Sequence, residues 1–207
     1  YIYWAPDSKS LAFLASTPEG LVLYVADTEA SSPPTRVESG APLYFQWGVE
    51  SDSMLVHVGE ELKVISKPFG SSSKQLFAAD LGFRAPALSP DGKRMAYVGR
   101  GESGGILLAS PVEDEHAAHK VAEVGLRSAF AWSPKGGQVA VADQDNPRAP
   151  VFQRIRVVSE DGNEERTLVE GQIMAFYWAP EGDQLAWVVL DLDRREFVWW
   201  VGAVSGG

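Results

Sequence analysis

One ten-residue pattern recurs five times along this chain and constrains its fold more than any other feature. The clearest copy, residues 88–97, reads as a tight turn, Ser-Pro-Asp-Gly-Lys, followed by a short apolar strand. Each copy begins at a large apolar residue, here called its anchor, and the five anchors are Trp4, Trp47, Leu88, Trp132 and Trp178. Successive anchors are 41 to 46 residues apart. A period of this length indicates a repeat protein, in which each supersecondary unit packs on the next.

The turn in each copy has a direct physical basis. Proline presets the φ angle that a tight turn requires, and Asp or Gly accommodates the rest of the turn. Four copies carry this proline two residues after the anchor, whereas the copy that begins at Trp47 has Val49 there. A glycine six or seven residues before an anchor is expected to bend the chain into the next repeat, as at Gly40, Gly82, Gly125 and Gly171.

The residues between the anchors predict four short antiparallel strands in each repeat, and no segment shows a helical period. The first strand ends at the anchor, and the second follows the turn. The predicted first strands are 43–47, 84–88, 129–132 and 174–178. The predicted third strands are 21–26, 61–66, 105–110, 153–158 and 196–201, and the predicted fourth strands are 35–38, 75–78, 120–123 and 166–169. The sequence therefore predicts an all-β chain, a β-propeller with five visible blades.

The turn and the strand after it also resemble the repeats of a known family. Trp-Ser-Pro-Asp-Gly-Lys followed by a short apolar strand is similar to the repeats of TolB-like β-propellers, which are related to WD repeats, and the resemblance covers nearly the whole chain. The Gly-His and Trp-Asp pairs of true WD repeats are missing. The resemblance implies six blades in many relatives, a role in bacterial envelope assemblies and hence an extracytoplasmic location.

The last repeat, which begins at Trp178, reaches residue 207 with room for three strands only. We therefore expect residues 1–207 to form a single propeller domain whose last blade lacks its outermost strand, and which is a fragment of a longer chain or part of a six-bladed ring. Segment 197–201 would then be an apolar edge strand, and such edges recruit other strands. Either an omitted segment or another chain pairs with it, or Trp199 and Trp200 simply pack on the two faces of the blade.

Composition narrows the classes of partner. The 28 acidic residues outnumber the 18 basic residues, which gives a net charge of −10, and no Lys/Arg cluster appears. Nucleic acid is therefore not an expected partner, because phosphate attracts clustered cations. No apolar run approaches the roughly 20 residues that span a bilayer. The chain has no cysteine, which excludes a disulfide framework and a thiol nucleophile.

Candidate binding residues lie on the loops that would surround the mouth of the propeller channel, because loops on a rigid scaffold commonly carry function. They are Arg84, Arg127, Asp143, Asp145, Arg148, Asp191 and Arg194. The run Asp143-Gln144-Asp145-Asn146 also resembles the beginning of a calcium loop, although the later Gly and Glu of such loops are missing. A polar loop without a bound ion is the favoured interpretation there, and no cofactor is expected.

No catalytic constellation is visible in the sequence. The three histidines, His57, His116 and His119, are scattered, and there is no Gly-x-Ser-x-Gly motif. The favoured function is a non-catalytic module that presents its loop face to a protein or peptide. Two alternatives stay open: the gating propeller of a larger serine peptidase similar to prolyl oligopeptidase, and a stand-alone propeller lyase or glycosidase.

Overall fold

The computed structural model describes residues 1–18, 20–29, 32–70, 74–78, 83–102, 104–146 and 148–204. Within these ranges the chain is almost entirely β-structure, and one turn of 3-10 helix spans Glu115–Ala117. The strands are β1 Ile2–Trp4, β2 Ser10–Thr17, β3 Gly20–Asp27, β4 Thr35–Ser39, β5 Leu43–Trp47, β6 Ser53–Val58, β7 Glu61–Ser66, β8 Lys74–Ala78, β9 Ala87–Leu88, β10 Arg94–Arg100, β11 Gly105–Pro111, β12 His119–Val124, β13 Arg127–Trp132, β14 Gln138–Gln144, β15 Phe152–Ser159, β16 Glu165–Trp178, β17 Gln184–Asp191 and β18 Glu196–Ala203.

The chain divides into two compact units, Tyr1–Pro86 and Ala87–Gly207. The first unit holds two four-stranded antiparallel sheets, in the orders β1-β2-β3-β4 and β5-β6-β7-β8. The second unit holds a four-stranded sheet, β9 to β12, and a six-stranded sheet, β13 to β18. The predicted repeat of four sequential antiparallel strands is confirmed. That all of residues 1–207 form one domain stays a prediction, and the predicted bend at Gly82 lies outside the described residues.

The six-stranded sheet arises because one long strand serves two repeats. The sequence predicts a fourth strand at 166–169 and a separate first strand at 174–178, but the structure joins them in the 14 residues of β16. The first part of β16 pairs with β15 as far as Ile173, and the last part pairs with β17 from Ile173 onwards. The expected bend at Gly171 is present as a positive φ of 155° followed by a register shift. Because backbone pairing passes from one neighbour to the other without a gap, the strand does not break.

The turn that follows each anchor has the same hydrogen bonds in all five copies. The N–H of the residue after the anchor donates to a carbonyl five residues later, at 2.8–2.9 Å. The N–H four residues after the anchor donates back to the carbonyl of the residue after the anchor, at 2.8–3.0 Å. The copy with Val49 in place of proline makes both bonds, through Gly48 and Ser51. Proline therefore favours this turn but is not required for it.

Three anchor tryptophans join neighbouring repeats within each unit through the same type of hydrogen bond. In the first unit Trp47 Nε1 donates to the carbonyl oxygen of Tyr3 at 3.1 Å. In the second unit Trp132 Nε1 donates to Ala87 O at 3.1 Å, and Trp178 Nε1 donates to Ala131 O at 3.0 Å. Each acceptor is the residue directly before the preceding anchor. The indole N–H groups of these three anchors are therefore satisfied by the backbone of the preceding repeat.

Strand β18 is the last strand of its sheet, and the last repeat has three strands, as predicted. It pairs with β17 along all eight of its residues, and no described residue pairs with its other edge. Trp199 and Trp200, on opposite faces, are both more than half exposed, so packing on this blade does not bury either ring. Pairing of segment 197–201 with an omitted segment or another chain stays a prediction.

Candidate functional site

Six of the seven candidate residues lie in the second unit, beside the bend of β16. The register pairs Arg127 with Gln144, pairs Phe152 with Ile173, and places Asp191 two residues beyond the partner of Ile173. The connections 145–151 and 192–195 therefore both emerge beside residues 170–173 of β16. We call these two connections, together with Arg127, the loop surface. Arg84 belongs to the first unit, where its Nη1 donates to Phe83 O at 2.9 Å.

The sequence predicts that Asp143 lies on an exposed loop, and this is wrong: Asp143 is completely buried at the end of β14. One carboxylate oxygen accepts a hydrogen bond from Arg154 Nε at 2.6 Å. The other accepts from Arg156 Nη2 at 2.5 Å and from the backbone N–H of Gly125 at 3.1 Å. A buried carboxylate is tolerated only when it is paired and hydrogen-bonded in this way. Asp143 thus holds two arginine side chains in place.

Sequence reasoning missed Arg154 and Arg156. The two stand two residues apart on β15, which places both side chains on one face of the sheet. The register sets Asp143 directly opposite Arg154. Once the strands are aligned, two arginines at this spacing beside an aspartate indicate that both bind the same carboxylate. The hydrogen bond from Arg154 to Asp143 raises the pKa of Arg154 above its usual value, and the charges of Asp143 and Asp145 act in the same direction.

Arg156 extends the cluster away from Asp143. Its Nη1 donates to Glu165 Oε1 at 2.8 Å, and its Nη2 also donates to the carbonyl of Glu123 at 2.7 Å. Two buried polar atoms beside this network, Arg156 Nε and Ser128 Oγ, have no hydrogen-bond partner among the described residues. Burying these two atoms without partners costs free energy, and the hydrogen bonds that the network does make have to offset this cost.

The cluster forms one wall of a cleft of about 890 Å³ in the second unit. Polar side chains of both signs and several glycines line the cleft, including Lys120, Glu123, Arg154, Arg156, Glu165 and Glu170 with Gly104, Gly125 and Gly162. A Cβ on Gly162 would lie 2.7 Å from Lys120 O, so only glycine allows the β15–β16 turn to approach β12 this closely. The cleft is a polar groove in which Lys120, Arg154 and Arg156 are each paired with a carboxylate.

Gln144, the last residue of β14, is almost fully buried and contacts connection 145–151. With its amide nitrogen turned toward the loop, Gln144 donates to Ala149 O at 2.9 Å and to Val151 O at 2.7 Å. Asp145 pairs with Arg154 at 3.1 Å. The Arg148 side chain is exposed on this loop, and its backbone N–H donates to Asn146 Oδ1 at 3.0 Å. The described residues of this connection are therefore held at several points, and the Arg148 side chain is exposed beside them.

Connection 192–195 is a compact turn organised by one carboxylate. Asp191 Oδ1 accepts from the backbone N–H groups of Asp193 and Arg194, both at 3.0 Å, which is typical of aspartate at a turn. The Arg194 side chain is largely exposed and lies 3.5 Å from Glu196 and 3.9 Å from Asp191. Exposed pairs of this kind contribute little to stability. The guanidinium group of Arg194 is therefore accessible to an acidic group of a binding partner.

The three histidines have separate structural environments. His57 is buried in the first unit, and its Nδ1 lies 2.7 Å from Arg84 O, which identifies Nδ1 as the protonated nitrogen. His119 Nε2 lies 2.8 Å from Glu160 O, whereas His116 sits in the single 3-10 turn. Among the described residues, no three His, Asp or Glu side chains gather as a metal site. The calcium interpretation of Asp143 and Asp145 stays a prediction, although both carboxylates now have arginine partners.

No known family profile matches the sequence, and no curated protein does. The part of the chain that is described also contains no helix long and apolar enough to cross a bilayer.

Solved structures do match, but they are only 11–16% identical to this chain and so share its fold rather than its sequence. TolB from Acinetobacter baumannii is 16% identical with a TM-score of 0.68 over 95% of this chain, which spans about half, 51%, of that TolB. An oligogalacturonate lyase from Vibrio parahaemolyticus is 11% identical with a TM-score of 0.76, over 97% of this chain and 61% of the lyase. One chain of a nidogen/laminin complex is 11% identical with a TM-score of 0.63, over 95% of this chain and 76% of that chain.

These matches and the repeated antiparallel sheets place the chain in the class of β-propellers. Within that class its fold is TolB-like, as the Trp-Ser-Pro-Asp-Gly repeats predict. At these identities the likeness extends to the fold alone. Propellers serve many unrelated functions, so function has to be argued from the residues of the site.

Proposed function

We propose that this chain is a non-catalytic binding propeller that presents its loop surface to a protein or peptide. The observation that carries the proposal is the contrast between a rigid base and exposed arginines. Buried Asp143 and Gln144 fix the base, while Arg127, Arg148 and Arg194 stand exposed around it. Such an arrangement lowers the ordering cost of binding, because described residues of both connections are already hydrogen-bonded to the strand ends beside them.

The chemistry of these arginines indicates what the partner offers. A guanidinium group binds a carboxylate through two parallel hydrogen bonds and is more weakly hydrated than an ammonium group. Three exposed arginines therefore suit a partner segment with acidic side chains or a free carboxyl terminus. The nearby Asp145 and Asp191 add acceptors that select the register of such a segment. The presence of a chain of a nidogen/laminin complex among the structural neighbours is compatible with a protein partner.

The test is a peptide selection followed by affinity measurements. Peptides selected from a random library on the wild-type chain should be acidic, and their affinities can be measured by fluorescence anisotropy. Arg148→Glu and Arg194→Glu should each weaken binding at least about tenfold, because they replace an attractive contact by a repulsive one. Arg36→Glu is the matched control, since Arg36 is an exposed arginine in the first unit, and it should leave the affinity within about twofold. Equal effects of all three substitutions would contradict the proposal.

A propeller lyase is the alternative with a specific observation behind it, the TM-score of 0.76 with an oligogalacturonate lyase. Incubation of the wild-type chain with oligogalacturonate, followed by ultraviolet absorbance of unsaturated products, separates the two functions. Product formation that tracks enzyme concentration would replace the binding proposal. The gating domain of a larger peptidase and an envelope location both stay predictions from the sequence resemblance.

A further inference from the structure

The third and fourth repeats meet at an ion pair between the ends of two strands. Arg94, the first residue of β10, donates through Nη1 to the carboxylate of Glu160, which directly follows β15. His119, the first residue of β12, lies against the same glutamate, with its Nε2 2.8 Å from the carbonyl oxygen. Three long polar side chains therefore occupy the space between these two repeats of the second unit.

The first and second repeats carry different residues at the same three positions. Ser10 corresponds to Arg94, because each begins the second strand of its repeat, six residues after its anchor. Lys67 corresponds to Glu160, because each directly follows a third strand and donates its backbone N–H to the carbonyl five residues after its anchor. Thr35 begins β4, as the histidine begins β12. Because a serine cannot neutralise a lysine, the first unit lacks the ion pair of the second unit at this place.

A cavity of about 590 Å³ lies at this place between the first and second repeats. Hydroxyl groups and apolar side chains line it, among them Ser10, Ser32, Thr35, Pro33, Pro68 and Phe69. Pockets that bind small molecules commonly have volumes of about 300–1,000 Å³ and combine an apolar lining with a few polar groups. The cavity, which is lined by residues of the first unit, therefore has the size and the lining of a small-molecule site.

Two opposite charges, Lys67 and Asp27, also line the cavity, and they do not pair with each other. Lys67 has no carboxylate partner among the described residues, and its Nζ lies 5.9 Å from the centre of the Phe69 ring. Asp27 Oδ1 accepts the backbone N–H of Glu29 at 2.9 Å, whereas Oδ2 has no partner in the described part of the chain. Both charged residues are exposed, so a ligand can reach them. The cavity therefore offers an ammonium group, a carboxylate and an aromatic wall.

We propose that this cavity binds a free α-amino acid with an apolar side chain, whose carboxylate pairs with Lys67 and whose ammonium group pairs with Asp27. Such a ligand neutralises both charges at once, as Arg94 and Glu160 neutralise each other between the third and fourth repeats. Charge-assisted hydrogen bonds of this kind are about twice as strong as neutral ones. The apolar side chain packs on Phe69, and the hydroxyl groups of the lining can donate to the carboxylate or accept from the ammonium group. This site does not involve the loop surface.

Equilibrium dialysis of the 207-residue chain against radiolabelled L-phenylalanine tests the site. Binding should saturate at one molecule per chain, with a Kd below about 1 mM. Lys67→Met and Asp27→Asn should each weaken binding at least about tenfold, because each removes one charged partner of the ligand. Lys9→Met is the matched control, since Lys9 is an exposed lysine of the first unit outside the cavity lining, and it should leave the affinity within about twofold. Urea unfolding checks that each variant is folded.

Two derivatives of phenylalanine show whether both charges of the ligand are recognised. N-acetylphenylalanine keeps only the carboxylate and phenylalanine amide keeps only the ammonium group, so each should compete at least about tenfold more weakly than L-phenylalanine. Competition by either derivative as strong as that of L-phenylalanine would overturn the proposal, because one charge of the ligand would then be dispensable. A wild-type chain that binds no phenylalanine at about 1 mM would overturn it as well. So would equal losses of affinity in Lys67→Met and Lys9→Met, because they would mean that the cavity does not hold the ligand.

Discussion

The fourth residue after each anchor shows how one backbone angle selects a residue type. It has a positive φ in all five copies, 60° at Ser8, 62° at Ser51, 70° at Gly92, 73° at Gly136 and 67° at Gly182. A left-handed conformation costs an L-residue with a Cβ about 1–2 kcal/mol, whereas glycine adopts it freely. The two serines therefore carry a local cost that the three glycines avoid.

We expect Ser8→Gly to stabilise the protein and Gly136→Ala to destabilise it. The gain at Ser8 should be about 0.5–1 kcal/mol, because the larger backbone entropy of unfolded glycine offsets part of the relieved cost. The loss at Gly136 should be about 1 kcal/mol, and it comes from φ alone, since no atom lies within 4 Å of an added Cβ. Urea unfolding measures both changes. An unchanged midpoint for Ser8→Gly would contradict the expectation.

His57 couples the stability of the first unit to pH. Burial lowers the pKa of His57 below its ordinary value of 6.5, and the hydrogen bond to Arg84 O opposes this only in part. In the register His57 lies opposite Tyr44 of β5 and Leu62 of β7, its ring packs near Phe83, and no charge among the described residues contributes to this pKa shift. The folded protein therefore keeps His57 neutral at pH values where the unfolded chain binds a proton.

Because the unfolded chain takes up this proton first, the free energy of unfolding should fall as the pH drops below about 6.5. The slope from one group is at most about 1.4 kcal/mol per pH unit, and it ends at the folded pKa. His57→Asn keeps a donor near Arg84 O and removes the titration, so its stability should vary less between pH 7 and pH 5. Chemical denaturation of both proteins at several pH values measures the difference. Parallel curves would show that His57 does not titrate differently on folding.

At the scale of elements, cross-strand pairing decides what the second unit can hold. β13, β14 and β15 bring Ser128, Asp143 and Arg154 into one row, because the register aligns 128 with 143 and 143 with 154. Arg156 on β15 and Glu165 on β16 extend that row into the wall of the cleft. At this point the sheet therefore contains a network of paired charges instead of apolar packing. The loop surface follows directly after the strands that carry this network.

We expect Asp143→Ala to destabilise the protein by about 3 kcal/mol, near the lower end for a broken buried ion pair, because buried Arg156 then keeps only the half-exposed Glu165 as a carboxylate partner. The double variant Asp143→Ala, Arg156→Met should lose clearly less than the sum of the two single losses. Urea unfolding of the three variants gives this coupling energy.

Asp145→Ala is the control for that cycle. Asp145 also pairs with Arg154, but its side chain is 67% exposed, so its loss should cost no more than about 1 kcal/mol. A similar cost at Asp143 and Asp145 would mean that burial does not strengthen the Asp143 contacts.

Strand positions in each repeat could largely be predicted from the sequence. Strand 43–47 is observed as predicted, and β15 extends the predicted 153–158 by one residue at each end. β16 could not be predicted as one strand, because Gly171 looks like a chain break until its two pairing partners are known. Of the candidate site, the exposed Arg148 and Arg194 were found from loop position, whereas Arg154 and Arg156 were missed.

At the scale of the whole molecule, the chain is a TolB-like β-propeller by fold, with five repeats and a net charge of −10. The proposed loop surface relies on exposed arginines, which can bind acidic groups of a partner although the chain as a whole is acidic.

The sequence by itself determined the repeat and the turn after each anchor. These features depend on residues close together in the chain, such as the proline, aspartate and glycine of one turn, and local sterics select them directly. Only the tertiary structure decided that Asp143 is buried between Arg154 and Arg156 and that β16 serves two repeats. Those outcomes depend on which strands become neighbours, and strand pairing brings together residues that are far apart in the sequence.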